Sequence, residues 1–128
     1  MIGHQLGAYT DCNHGQGLAV LHPAVYRHLY RDNLSKFVRF AEAVWGVDPA
    51  GKTEEETALA GIDALAAFVK EIGHPTTLTE LKEGMRPDSP DPTGHEILRK
   101  VADTAIITPV CARQMDREEI YQILLECV

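Results

Sequence analysis

An all-α helical bundle is the fold this sequence predicts, on three observations. Apolar residues recur at helical spacing along almost the whole chain, alternating β-branched runs are hard to find, and only 6% of residues are aromatic. With 128 residues, 45% hydrophobic and 24% charged, the chain has the balance of a soluble globular protein, expected to form one domain over residues 1–128. A chain of this size buries roughly two-thirds of the surface its unfolded form exposes, enough for one core without metal or disulfides.

The elements follow in order. After a short opening stretch, Gly15 to about Tyr30 reads as a helix with Leu18, Leu21, Val25 and Leu29 on one stripe, and Pro23 predicts a kink near His22. Leu34, Phe37, Val38, Ala41, Val44 and Trp45 follow the pattern of a buried helical face, with Gly46 as the stop. Asp48-Pro49-Ala50-Gly51 is a turn by composition, and Thr53 with Glu56 forms a capping box that starts the longest helix. Its apolar face runs Leu59, Ile62, Leu65, Ala66, Val69 and Ile72. Glu54, Glu55 and Glu56 complement the helix dipole, and Gly73 before Pro75 ends it. Thr79 is the expected cap of a short turn through Leu81, and the prolines between Met85 and Asp91 predict a loop separating two halves. Ile97, Leu98, Val101, Ala102 and Ala105 mark a further helix. Asp116 and Glu119 repeat the capping pattern before Ile120, Ile123, Leu124 and Cys127.

Twelve basic residues against nineteen acidic ones give a formal charge of -7, which argues against nucleic acid and anionic membrane as partners. Apolar runs such as Leu18 to Leu21 and Ala105 to Ile107 fall far short of the ~20 residues a membrane span needs, and nothing at the N-terminus resembles a secretion signal, so the cytoplasm is the expected location. Cys12, Cys111 and Cys127 are odd in number and widely spaced, which predicts free thiols. Cys127 reads as a small packed hydrophobe, whereas Cys12 lies among Asp11, Asn13 and His14.

Four of the six histidines, His4, His14, His22 and His28, lie in the first thirty residues, where polar reactive groups gather beside glycines. Six residues separate His22 from His28, about 600° of helical rotation, so those two point to different faces and are poor co-ligands. Surface or partly buried imidazole without a task is the plainer reading of His22, His28, His74 and His95. Asp11, Cys12 and His14 are each competent metal ligands, which leaves a zinc-supported binding module as a weaker reading, since groups so close in sequence rarely reach a tetrahedral arrangement.

The stretch Gly3-His4-Gln5-Leu6-Gly7-Ala8, then Asn13-His14-Gly15-Gln16-Gly17-Leu18-Ala19 and His22-Pro23, resembles the metal-site signature of the iron-containing alcohol dehydrogenases. The likeness continues through Val44-Trp45-Gly46-Val47-Asp48 and Ile72-Gly73-His74-Pro75-Thr76-Thr77-Leu78, where the family usually has a small hydrophobe in place of His74. It ends with Thr108-Pro109 and Asp116 to Leu124, and so covers the whole chain. The Trp-Gly-Val-Asp and Gly-x-Pro-Thr-Thr-Leu segments look most like the butanol dehydrogenase branch, which reduces aldehydes with NADH or NADPH.

The resemblance implies a fold corresponding to the C-terminal part of the dehydroquinate synthase-like / iron-containing alcohol dehydrogenase helical domain. It implies that His14 matches a metal-binding histidine and that His4 matches an active-site histidine lining the substrate pocket. The family's other histidine ligand comes four residues before the one matched by His4, just ahead of Met1, and an aspartate ligand and a further histidine precede it. No G-x-G-x-x-G turn is found, so the nucleotide-binding domain is expected to be absent. In full-length relatives a divalent metal, iron or zinc, polarises the alcohol or aldehyde oxygen while hydride passes to or from NAD(P). The expectation is therefore a C-terminal piece of such an enzyme, inactive alone, with a stand-alone helical interaction domain as the alternative. Loss of cover from earlier helices would expose Leu6, Ala8, Leu18 and Val20, which predicts a homodimer through His4 to Val20, or association with the missing N-terminal half.

Overall fold

Helix formation begins earlier than apolar periodicity suggests. The computed structural model describes residues 1–105 and 112–128, and the opening stretch forms helix α1 (Ile2–Thr10). Ile2, Leu6 and Thr10, at successive i, i+4 positions, are its buried stripe, and the Thr10 hydroxyl donates to the Leu6 carbonyl at 2.7 Å. Asp11 ends the helix in the left-handed region at φ 56° and pairs with Arg86. Helix α2 (His14–Leu29) is capped by the Asn13 side chain, which accepts from the Gln16 amide at 3.1 Å. It runs through the buried Pro23 without a break in its helical residues and passes by a 3₁₀ turn (Tyr30–Asn33) into α3 (Leu34–Trp45).

Helix α3 ends at Gly46, which adopts φ 65°, as its position predicts. Its apolar face is only partly covered, and Val44 is 62% exposed rather than buried. Helix α4 (Glu54–Glu71), the longest of the described helices, opens on the expected capping box: Thr53 Oγ1 accepts from the Glu56 amide and the Glu56 carboxylate accepts from the Thr53 amide. It closes with Gly73 at φ 79°, the Gly73 amide donating to Lys70 and the His74 amide to Val69, both at 3.1 Å. Ile72 lies on the rim, half exposed.

Helix α5 (Leu78–Glu83) is capped by Thr77, which accepts from the Glu80 amide at 3.1 Å. Thr79, the cap expected from sequence, instead donates to the Val128 carbonyl at 2.7 Å. Helices α6 (His95–Thr104) and α7 (Arg117–Glu126) follow, with Asp116 capping α7 through the Glu119 amide at 2.8 Å. Glu119 does not reciprocate as in a capping box; its carboxylate is held by Arg113. The Ile106–Ile107 end of the apolar run, Thr108-Pro109 and Cys111 lie outside the described residues.

The main core joins α1, α2, α5, α6 and α7, with Leu6, Val20, Leu21, Leu78, Leu81, Leu98, Val101, Ile120, Ile123 and Leu124 at its centre. Cys127 packs into it as a small hydrophobe. Tyr30, Ala58 and Ile62 form a smaller cluster with Tyr26, Leu34, Phe37, Val38 and Leu59, under the α3–α4 hairpin. The proline-rich loop therefore does not divide the molecule, because Leu78 and Leu81 before it share one core with Leu98 and Val101 after it. The hairpin is set apart instead, seated through a close approach in which Gly61 faces Ala41.

Candidate functional site

Two helix ends bring the histidines together. His4 sits in the first turns of α1, and His14 is the first residue of α2, presented there by the Asn13 cap. Their rings stack with centroids 5.1 Å apart and planes inclined by 24°, and both are exposed. The approach of α1 to α2 is set at Gly3, where a Cβ would lie 2.7 Å from the Leu18 side chain and 3.5 Å from the His14 ring. A larger residue at position 3 would push the helix carrying His4 away from the one carrying His14.

The other polar groups of this corner face elsewhere. Asp11 is engaged with Arg86 of the loop between α5 and α6. Cys12 is half-buried against the main core, its sulfur 3.5 Å from where a Cβ on Gly17 would be. Among the described residues no group of three His, Cys, Asp or Glu side chains converges to hold a metal ion. The zinc module built on Asp11, Cys12 and His14 is therefore not formed. This corner offers two imidazoles, lying face to face rather than converging on one point. Nitrogens sharing an ion at about 2.1 Å must come within about 4 Å of each other, and most of a coordination shell would still be lacking. The donor set of these residues does not by itself fit a metal.

Beside the pair lies an apolar cleft of about 290 Å³, walled by Ile2, Gly3, Leu18, Leu21, Val25 and Met115. His22 and Tyr26 also line it, their rings stacked at 5.4 Å, and burial pushes the His22 imidazole below its ordinary pKa, so the neutral ring is favoured. Sequence reading gave His22 no task, and its stack on Tyr26 could have been inferred only from their i, i+4 spacing. Leu6 and Val20, expected to be exposed, are 0% and 3% exposed because both point into the main core. Leu18 is partly covered and Ala8 is open.

His28 and His22 do lie apart, as helical rotation requires, but His28 is not idle. It bridges to two glutamates of α7, with Nδ1 3.4 Å from Glu119 and Nε2 3.1 Å from Glu126. Sequence offered no signal for this, since the partners lie about ninety residues away.

Comparison with known proteins shows the family of the chain. The family model described as "Fe-containing alcohol dehydrogenase family, C-terminal" matches residues 1–128. The probable NADH-dependent butanol dehydrogenase 1 of Bacillus subtilis (strain 168) is 34% identical over 125 residues, 96% of this chain and 30% of the relative. The NADPH-dependent aldehyde reductase YqhD of Escherichia coli (strain K12) is 31% identical over 80 residues, 62% of this chain and 20% of that protein. The crystal structure of a 1,3-propanediol oxidoreductase superposes with a TM-score of 0.82 at 27% identity, over 99% of this chain and 31% of that one. The chain thus spans about a third or less of the length of these relatives.

Proposed function

We propose, from the premise that this chain belongs to the Fe-containing alcohol dehydrogenase family, that it is the helical wall of an oxidoreductase site for alcohols or aldehydes. In this reading His14 is a ligand to a divalent metal, iron or zinc, and His4 lines the substrate pocket. Nicotinamide is bound by polypeptide corresponding to the remaining length of the relatives. The observation that carries the reading is the exposed stack of His4 on His14, held at the junction of two helices in the region the family model matches. The division of roles between the two rings follows the family's motif, in which His14 matches the metal-binding histidine and His4 the pocket histidine.

Because the donor set is partial, the isolated chain is expected to bind metal weakly and to turn over no alcohol or aldehyde. The test is reduction of butyraldehyde with NADH or NADPH, with and without ferrous iron or zinc. Saturable turnover by the pure chain, lost in His14→Ala, would overturn the claim of inactivity.

The apolar cleft and the half-covered Leu18 favour a polypeptide partner at this face, either a second copy or the polypeptide supplying the rest of the site. Leu6 and Val20 are not part of that surface. Light scattering at micromolar concentration is expected to show a dimer weakened by Leu18→Glu. A concentration-independent monomer, or a dimer indifferent to that change, would remove the second copy as the occupant.

A further inference from the structure

His28 lies near the C-terminal end of α2, 24% exposed, with a carboxylate of α7 at each ring nitrogen. Nδ1 is 3.4 Å from Glu119 Oε1, and Nε2 is 3.1 Å from both oxygens of Glu126. A neutral imidazole carries one N–H, so it can donate to only one of these two partners. Its other nitrogen would then face a carboxylate lone pair to lone pair. Only the imidazolium donates to both.

The surroundings hold one of the two carboxylates in place and leave the other to move. Glu119 is fixed by Arg113, whose Nη1 donates to Glu119 Oε2 at 2.8 Å and whose Nη2 donates to Oε1, the oxygen that faces His28, at 2.5 Å. The same guanidinium donates from Nε to Asp32 at 2.9 Å and from Nη2 to the backbone carbonyl of His28 at 3.3 Å. Arg113 in turn holds the Glu119 carboxyl below the usual carboxylate range, so Glu119 stays ionised. Arg27, the other neighbouring charge on α2, is turned to Asp63 of α4 at 3.1 Å. Glu126 is 54% exposed and free to swing into water.

We propose that His28 is a pH-dependent latch that fastens the end of α7 to α2 when protonated and loosens it when neutral. The fastened end carries more than itself. The Cys127 carbonyl accepts from the Leu78 amide at 2.6 Å and the Val128 carbonyl from the Thr79 hydroxyl at 2.7 Å, so the two residues that follow α7 also anchor the first turn of α5. Release is therefore felt in two segments far apart in sequence.

Amide hydrogen exchange of the full chain tests this, at about pH 5.5 and about pH 8 and corrected for intrinsic exchange, with the Ile62 region of α4 as internal reference. Protection of Leu124 to Val128 and of Leu78 to Thr79, relative to that reference, is expected to be about fivefold higher at the acid pH. In His28→Gln and in Glu126→Gln this ratio is expected to fall to one. The second change lies on an exposed side chain and keeps the test available if the first disturbs folding. A ratio near one in the wild-type chain, or the wild-type ratio retained in either variant, overturns the proposal.

Discussion

Replacing Gly61 by Ala tests how the α3–α4 hairpin is seated. A Cβ at position 61 would lie 2.6 Å from the Cβ of Ala41, 2.7 Å from its Cα and 3.2 Å from its amide nitrogen. Two of those atoms are backbone, so no side-chain rotation relieves the overlap and one helix must move. Overpacking of this kind costs about 1–3 kcal/mol, here toward the upper end, while the change of Gly to Ala in a helix returns about 1 kcal/mol. The net expectation is a loss of about 2 kcal/mol, a large part of the 5–15 kcal/mol typical of such domains, and a fall in Tm of about 8 °C. Gly7→Ala in α1 is the matched control, because a Cβ there meets nothing within 4 Å. It should gain up to about 1 kcal/mol from propensity alone. Urea denaturation of both variants reads the difference. Gly61→Ala as stable as the parent would refute the close packing of α3 on α4.

Further outcomes follow from local chemistry. Thr53→Ala removes one half of the α4 capping box and is expected to cost about 1 kcal/mol in urea denaturation, with Thr53→Ser recovering most of it. Burial pushes the Cys127 thiol up to about 12, so iodoacetamide at pH near 8 should label Cys127 only after denaturation, and rapid labelling of the folded chain would contradict its packing. Lys82 and Thr93 hold the Asp91 carboxyl down to about 2. A depressed carboxylate adds stability above its unfolded pKa and loses it as pH falls through the folded value, so Asp91→Asn should be less stable than the parent at neutral pH, with the difference shrinking as pH falls toward about 2. The pair is exposed, which limits the effect to about 0.5 kcal/mol.

What the sequence disclosed was set by how local the signal is. The capping box at Thr53, the glycine stops at Gly46 and Gly73 and the Asp116 cap depend on residues within a few positions, and all were legible. Helix α1 is legible only through the family's motif and not from periodicity, because its buried stripe is only Ile2, Leu6 and Thr10, interrupted by two glycines and closed by a threonine whose hydroxyl turns inward. The α5 cap was misplaced by two residues because Thr76, Thr77 and Thr79 are chemically alike, and only the bond from Thr79 to Val128 separates them. Val44 and Ile72 obey helical periodicity yet remain exposed, since periodicity states which face a residue shares and not whether anything covers it. Reasoning from lost neighbours predicts exposure of Leu6 and Val20, whereas both belong to the same buried core as Leu98 and Ile123.

The candidate site was legible only through the family's motif. His4 and His14 meet across two helices, and neither spacing nor composition predicts that their rings stack. The His28 bridge to α7 lies outside the motif and was invisible for the same reason.

On the proposed function, His14 offers one ligand of a shared metal site and His4 part of its wall, with the remaining donors supplied by other polypeptide. Titration of the purified chain with zinc, followed by NMR of the imidazole protons and by metal analysis after chelation, tests it most directly. The predicted result is weak binding that perturbs His14 foremost, disappears in His14→Ala and leaves no metal after chelator. A stoichiometric, chelator-resistant ion, or binding indifferent to His14, would contradict it.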